Sequence, residues 1–308
     1  MLRDFQLPAR VFIVTARVVP CPERGSKFPR CRIFTIAASP NGDMARVNTV
    51  RQIESVLVRS ALTYSSVTRQ SDTALGRWLG RWYFTAMALA MIVVAVAGFA
   101  PSILDLSERI APLTPLVAVH GTVVFCWLLL FVFQTVLIGS RHIAFHRRMG
   151  IVAVVLLTLL VPLSYVVTVQ MVRRGFDLSG DQAKTDPLFA SIFNFVALIE
   201  FLVLASGALV YRRRKEVHKR LMLFANISLM GAPITHFLGH FGLLSPFTVL
   251  GGLALFFLSA GAGDYFRVGR VHPLTATLAI LLFLFQPIQA IVGDSTAWRH
   301  FAAWLGRQ

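Results

Sequence analysis

The chain has 308 residues, of which 56% are hydrophobic and only 14% are charged, and its mean hydropathy is +0.68. Soluble domains contain about 25% charged and about 45–50% apolar residues, so this composition excludes an ordinary cytosolic enzyme, a disordered chain and a coiled coil. The net charge is nevertheless +16, a balance that would also suit a nucleic-acid-binding protein. The three cysteines form no Cys-x-x-Cys pair, which argues against a disulfide scaffold or a thiolate metal site.

The first region, residues 1–80, is rich in arginine and poor in acidic residues. Its longest apolar stretch, Val11–Val19, is interrupted by Arg17 and does not form the apolar core of a signal peptide. The composition predicts a disordered or interfacial segment, and its amphipathic basic start is also typical of a transit peptide. The alternative is that residues 1–43 are not translated and that the protein starts at Met44.

Seven apolar segments follow, and each approaches the length of about 20 residues that a transmembrane helix needs. None of them alternates with a period of two, so an outer-membrane barrel is not expected. The sequence therefore predicts an all-α, polytopic transmembrane bundle of about seven helices over residues 81–293, followed by a short C-terminal tail, 294–308. The sixth segment is short and rich in glycine, which leaves its ends open. The segments are Trp82–Ala100, Leu116–Gly139, Ile151–Val172, Leu188–Tyr211, Leu221–Leu243, Phe247–Ala262 and Leu274–Val292.

The basic residues are distributed unequally between the two sides of the predicted spans. All but six of the 30 Lys and Arg residues lie in residues 1–81 or in the predicted loops 140–150, 212–220 and 263–273, which seven spans place on one side of the membrane. Because loops rich in Lys and Arg stay in the cytoplasm, we expect a cytoplasmic N-terminus and a C-terminus outside. Membrane topology and an anionic cytoplasmic leaflet thus explain the basic surplus, and nucleic acid is not expected as a partner. The other six are Arg109, Arg173, Arg174, Lys184, Arg299 and Arg307.

Three polar residues in the second segment are spaced by seven positions: His120, Trp127 and Gln134. This spacing puts them along one face of a helix. Since polar side chains are costly in contact with lipid, we expect this face to point into the bundle. The alternative is that these side chains only join helices by hydrogen bonds, each worth about 0.6 kcal/mol.

The fifth segment carries His236 and His240 on one helical face, and Pro233 predicts a kink before them. With a rise of about 1.5 Å per residue, His236 lies roughly 10 Å, and His240 roughly 5 Å, below the outer membrane boundary. The same rise places His120 roughly 6 Å below that boundary. The three imidazoles thus share one level and are candidate ligands of a metal ion or a haem. The alternative is again hydrogen bonding between helices.

Two further histidines and one acid are candidates. His146 and His218 lie among Arg and Lys residues at the opposite membrane surface, where they form a second candidate cluster or contact lipid phosphates. Glu200 is the only acid inside the predicted spans, roughly 18 Å from the outer boundary. A carboxyl group there suits a proton path, a metal site or a cation site. Alternatively, it is protonated and hydrogen-bonded to a neighbour such as Asn226.

The run from Arg81 to Gly239, about half of the chain, resembles a family of uncharacterised bacterial inner-membrane proteins. The shared features are a His-Trp-Gln stripe on one helix, a His-Arg-Arg loop (HRR) and a His-Lys-Arg loop (HKR). The resemblance implies a location in a bacterial inner membrane, and it implies no activity. The residues that it marks are His120, Trp127, Gln134, His146, Arg147, Arg148, His218 and Arg220.

The leading functional hypothesis is a haem-b or metal-binding redox protein that transfers electrons. In it, His120 with His236 or His240 ligates an outer haem, and His146 with His218 ligates an inner one; a metal ion held by the three outer histidines is a variant of it. The alternatives are a structural or accessory membrane protein without a cofactor and a small-ligand or proton-linked transporter that uses Glu200. No nucleotide-binding, hydrolase or zincin motif is present, so enzymatic activity stays open.

Overall fold

The computed structural model describes residues 74–104, 113–175 and 186–308. Every regular element within these ranges is an α-helix, and seven helical segments are long and apolar enough to cross a membrane. The protein is therefore an integral membrane protein with an all-α polytopic bundle, as predicted. The predictions for residues 1–73 lie outside the described residues. The helices are α1 (Ala74–Leu104), α2 (Pro115–Gly139), α3 (Ile143–Arg174), α4 (Pro187–Val210), α5 (Lys215–Ser228), α6 (Gly231–His240), α7 (Pro246–Val268), α8 (Pro273–Asp294) and α9 (Thr296–Arg307).

The helices expose large apolar side chains on the outside of the bundle and bury others in its core. Large apolar side chains such as Leu104, Phe247 and Ile291 are exposed along the helices, as expected for surfaces that lipid covers. Inside, Phe201 of α4 and Phe224 of α5 are fully buried and belong to one continuous core. Helices α1, α4, α5 and α7 each contribute four residues to this core, and each packs on several neighbours.

The short turns between α2 and α3, α4 and α5, and α7 and α8 meet at one end of the bundle, which we call the basic end. The start of α1 also lies there, because Arg81 donates a hydrogen bond from Nε to the carbonyl of Gly139 at the end of α2. Trp82 lies directly over Gly139, where a side chain would clash with its ring. Within the described residues, the exposed cations of this end are Arg81, Arg141, Arg147, Arg148, Arg212, Arg213, Arg214, Lys215 and Arg270.

Two predicted loops at the basic end are wrong in their bounds. Helix α3 begins at Ile143 and α5 begins at Lys215, so much of the predicted loops 140–150 and 212–220 is helical. His146 and His218 therefore lie on the first turns of helices rather than in loops. Helix α3 is 32 residues long, and its extra turns carry basic side chains whose charged groups can reach the membrane surface.

The fifth span is broken into α5 and α6. The break lies at Leu229 and Met230, and Leu229 is four residues before Pro233. Proline has no N–H to donate to the carbonyl of residue i−4, so the α-helix is interrupted at Leu229 as the proline predicts. The broken segment packs closely on α1, because a Cβ at Gly98 would clash with the carbonyl oxygen of Pro233.

The predicted C-terminal tail contains the helix α9, which packs on α3, α4 and α8 at the end opposite the basic end. Trp298 donates from Nε1 to the carbonyl of Leu188 at 3.0 Å, and Arg299 donates from Nη1 to Oδ2 of Asp186 at 2.6 Å. The hydrogen bonds from Arg299 to Asp294 and Asp186 raise the pKa of its guanidinium, which thus stays charged. These two hydrogen bonds hold α9 against the start of α4.

Candidate functional site

A hydrogen bond joins two of the polar residues at the centre of the bundle. Trp127 of α2 is 3% exposed, and its Nε1 donates to Oδ1 of Asn226 in α5 at 3.0 Å. The indole ring also packs edge-on against Phe201, with centroids 5.0 Å apart. Asn226 is fully buried and donates from Nδ2 to the carbonyl of Met222 at 2.8 Å. Trp127 faces the bundle interior and joins α2 to α5.

Glu200 and Gln134 have a different environment. The Oε1 atom of each side chain is buried and has no hydrogen-bond partner. Asn226, the neighbour considered for Glu200, forms its hydrogen bonds with Trp127 and Met222 instead. A buried acceptor without a donor costs free energy, so these two positions contain polar groups that the surrounding protein leaves unsatisfied.

The three outer histidines lie on two helices that both pack on α1. His120 is half-buried in the first turns of α2, and its Nδ1 is buried without a hydrogen-bond partner. His236 is 5% exposed and packs on the ring of Phe99, with centroids 4.5 Å apart. His240 is exposed beside Phe241. Within the described residues, no three His, Cys, Asp or Glu side chains form a group that could hold a metal ion.

The two histidines of the basic end lie together. The ring centroids of His146 in α3 and His218 in α5 are 6.3 Å apart, with an angle of 78° between the ring planes. Nδ1 of His218 lies 2.8 Å from the carbonyl oxygen of Ala208. Because a carbonyl only accepts, Nδ1 of His218 carries the proton and Nε2 of the neutral ring has a free lone pair. Nδ1 of His146 is buried and has no hydrogen-bond partner.

The separation of these two rings suits a shared metal ion. Two metal–nitrogen bonds of about 2.0–2.1 Å and two ring radii of about 1.2 Å place the centroids of opposed imidazoles about 6.4 Å apart. The observed separation of His146 and His218 is 6.3 Å. A haem supplies the other four ligands of its iron and needs only two imidazoles, whereas a tetrahedral zinc site needs two further protein ligands. The separation of the two centroids is therefore compatible with two imidazoles on one metal ion.

A buried ionic cluster joins α5, α7 and α8 near the same end, and the sequence interpretation did not include it as a unit. Arg220 donates to both carboxylate oxygens of Asp264, from Nη2 at 2.6 Å and from Nε at 3.1 Å. The Thr275 hydroxyl accepts from Nε of Arg220 at 2.9 Å and donates to Asp264 at 2.5 Å. The main-chain N–H of His272 also donates to Asp264, at 3.3 Å. All three side chains of the cluster are at most 3% exposed.

Three more charged residues border the ionic cluster. Glu216 is 60% exposed and accepts hydrogen bonds from Nζ of Lys219 and Nη1 of Arg220, both at 2.6 Å. Nη1 of Arg267 lies 3.7 Å from Oδ1 of Asp264. This part of the basic end therefore has three cations for two carboxylates.

Comparison with family models, with curated proteins and with solved structures finds no match to this chain. The resemblance to bacterial inner-membrane proteins rests on the residues of the His-Trp-Gln stripe and of the two basic segments alone, and it stays a prediction. The pair of His146 and His218 is the arrangement of predicted ligands that the fold brings together.

Proposed function

We propose that this membrane protein binds a haem b between His146 and His218 and transfers electrons. The observation that carries the proposal is the separation of the two rings, 6.3 Å between centroids, on two different helices. A haem with two imidazole ligands has no open iron position, which suits electron transfer rather than the binding of oxygen. The iron would supply the redox chemistry, and the chain supplies the ligands and their surroundings.

The neighbours of the pair support this role. Ligand histidines usually donate their second N–H to a carbonyl or carboxylate, which fixes the ring and raises its basicity. Ala208 accepts such a hydrogen bond from Nδ1 of His218, so Nε2 would be the atom that binds the iron. The exposed Arg147 and Arg148 follow His146 directly and offer cations to the propionate groups of a haem.

A second site at the opposite end belongs to the same proposal. His120 contributes the best candidate atom there, because its Nδ1 is buried and lacks a hydrogen-bond partner. His236, which packs on Phe99, and His240, which is exposed, are the candidate partners of His120 at this end. A His120→Ala variant separates the two sites in the experiment below.

We also propose that the basic end faces the cytoplasm of a bacterium and that the protein lies in the inner membrane. The support is the concentration of exposed arginines at one end of the bundle. With the C-terminus outside, alkaline phosphatase fused after Gln308 is expected to be active and green fluorescent protein fused there to be dark. The opposite pair of results would reverse the orientation.

The test of the haem proposal uses the full chain purified from haem-sufficient cells. We expect a Soret band and a pyridine-haemochrome signal, which His146→Ala and His218→Ala each abolish or shift. His142→Ala is the matched control because His142 is exposed at the same end and its ring forms a hydrogen bond with the Ser140 hydroxyl. Wild-type protein without either signal would reject the proposal. Loss of the signal in His120→Ala alone would move the haem to the opposite end.

A structural or accessory role without a cofactor is the second candidate. The observation that favours it is that Trp127, Asn226 and Arg220 all form hydrogen bonds between helices. If this role is the function, the histidine variants leave absorption, metal content and cellular phenotype unchanged, while substitutions at these three residues lower the stability of the bundle.

A further inference from the structure

Arg267, in the last turn of α7, is a cation that the protein leaves partly unsatisfied. Its side chain is 14% exposed, and its Nε and Nη1 atoms are buried without a hydrogen-bond acceptor. The nearest carboxylate oxygen belongs to Asp264, 3.7 Å from Nη1, which is beyond hydrogen-bond distance. A buried charged group without a close partner is costly.

The carboxylates near Arg267 are already occupied. Asp264 accepts two hydrogen bonds from Arg220 and one each from Thr275 and the main chain of His272. Glu216 is shared in the same way between Lys219 and Arg220. The third cation of this region is therefore Arg267, and an external anion would balance its charge.

A second cation, Lys219, lies near the same aromatic ring as Arg267. The guanidinium of Arg267 lies 5.0 Å, and Nζ of Lys219 lies 5.7 Å, from the ring centroid of Phe84 in α1. Arg267 also lies 6.0 Å from the ring centroid of Tyr83. Lys219 is 23% exposed, so both cations are partly accessible next to the same helix.

An apolar groove between α1 and α7 begins at this point. Its volume is about 290 Å³, and Tyr83 is part of both the groove and the cationic site. The ring of Tyr83 packs directly on Gly263, where a Cβ would clash with it. The other apolar lining comes from Ala86, Met87, Ala262 and Phe266.

We propose that Arg267 and Lys219 bind the headgroup of an anionic phospholipid, one of whose acyl chains lies in the α1–α7 groove. Charge complementarity selects an anion, and the adjoining apolar groove selects a lipid over a soluble anion. The position of Arg267 also fits this proposal. It is one residue before the end of the sixth span, Pro246–Val268, and this end of the span lies at the basic end of the bundle. The site would thus bind a lipid at the surface of the membrane leaflet that faces the basic end.

Native mass spectrometry of the full chain in detergent, with added phosphatidylglycerol or phosphatidylcholine, measures the preference directly. We expect wild-type protein to bind phosphatidylglycerol more tightly and Arg267→Gln to weaken that binding about fivefold, since one basic residue near a lipid surface contributes about 1 kcal/mol. Arg270→Gln is the matched control, because Arg270 is exposed three residues further along the chain. Lys219→Gln provides a second test of the same cationic site if Arg267→Gln does not fold.

The acyl-chain part is tested by Ala262→Trp, which fills the groove and is expected to weaken phosphatidylglycerol binding without removing a charge. Ala118→Trp, at an exposed position of α2, is its control. Equal binding of the two lipids by wild-type protein would overturn the proposal. Equal thermal stabilisation by inorganic phosphate alone would overturn it too, because the site would then bind free anions. These outcomes are independent of whether the protein binds haem.

Discussion

Asp264 accepts four hydrogen bonds in the ionic cluster, and Asp264→Asn tests what its charge contributes. Asparagine keeps the shape of the side chain but removes the negative charge that faces Arg220 and Arg267. Arg220 keeps Glu216 as a partner after this change, whereas Arg267 loses its ion pair. The region would then have three cations and one carboxylate.

The expected cost follows from burial. Removing one partner of a buried ion pair costs about 3–5 kcal/mol, and the remaining bond from Arg220 to Glu216 places Asp264→Asn near the lower value, about 3 kcal/mol. Arg220→Met has the opposite effect on the charge balance, because it leaves two cations for two carboxylates. Arg267, only 3.7 Å from Asp264, can then move into hydrogen-bond distance. We therefore expect Arg220→Met to cost about half as much as Asp264→Asn.

Reversible unfolding of the full chain by sodium dodecyl sulfate in mixed micelles, followed by tryptophan fluorescence, measures both free energies of unfolding. Thr275→Val, which removes one neutral hydroxyl from the ionic cluster, gives the scale of a single hydrogen bond at about 1 kcal/mol. Asp294→Asn is the control for a carboxylate that is 78% exposed. The charge-balance argument is refuted if Arg220→Met destabilises the protein as much as Asp264→Asn or more.

Two further predictions concern packing between helices. Trp127→Phe leaves the buried Oδ1 of Asn226 without its donor, and we expect a loss of about 1–2 kcal/mol in the same unfolding assay; an unchanged stability would show that the hydrogen bond contributes nothing. Gly263→Val forces the ring of Tyr83 away from α7 and is expected to cost about 1–3 kcal/mol. Gly261→Val has open space around the new side chain and serves as the control, so equal losses in the two variants would contradict this prediction.

The seven spans could be predicted because each one depends on a local property, a run of apolar residues long enough to cross a bilayer. Their ends could not be predicted in the same way. Helix α3 continues through His146, Arg147 and Arg148 because a helix does not have to stop where the apolar run stops. The α9 helix is apolar on one face only. Because it lacks a uniformly apolar run, its sequence predicted a tail rather than a helix.

Some features of the candidate sites also follow from local sequence patterns, and others do not. The stripe of Trp127 and Gln134 follows from helical spacing, and Pro233 predicts the break in the fifth span from its missing N–H. The ionic cluster is different, since Arg220 and Asp264 are 44 positions apart and no local pattern connects them. The position of His236 on the ring of Phe99 likewise depends on the packing of α6 against α1. Contacts between distant segments require the three-dimensional arrangement of the helices.

The interruption at Leu229 and Met230 divides the fifth span into two helices that carry different polar residues. The first, α5, carries His218 and Arg220 at the basic end, and the second, α6, carries His236 and His240. Across the interruption, the main-chain N–H groups of Leu229 and Met230 donate to the carbonyls of Asn226 and Ile227, three residues back instead of four. The histidines at the two ends of this span therefore lie on two different helices.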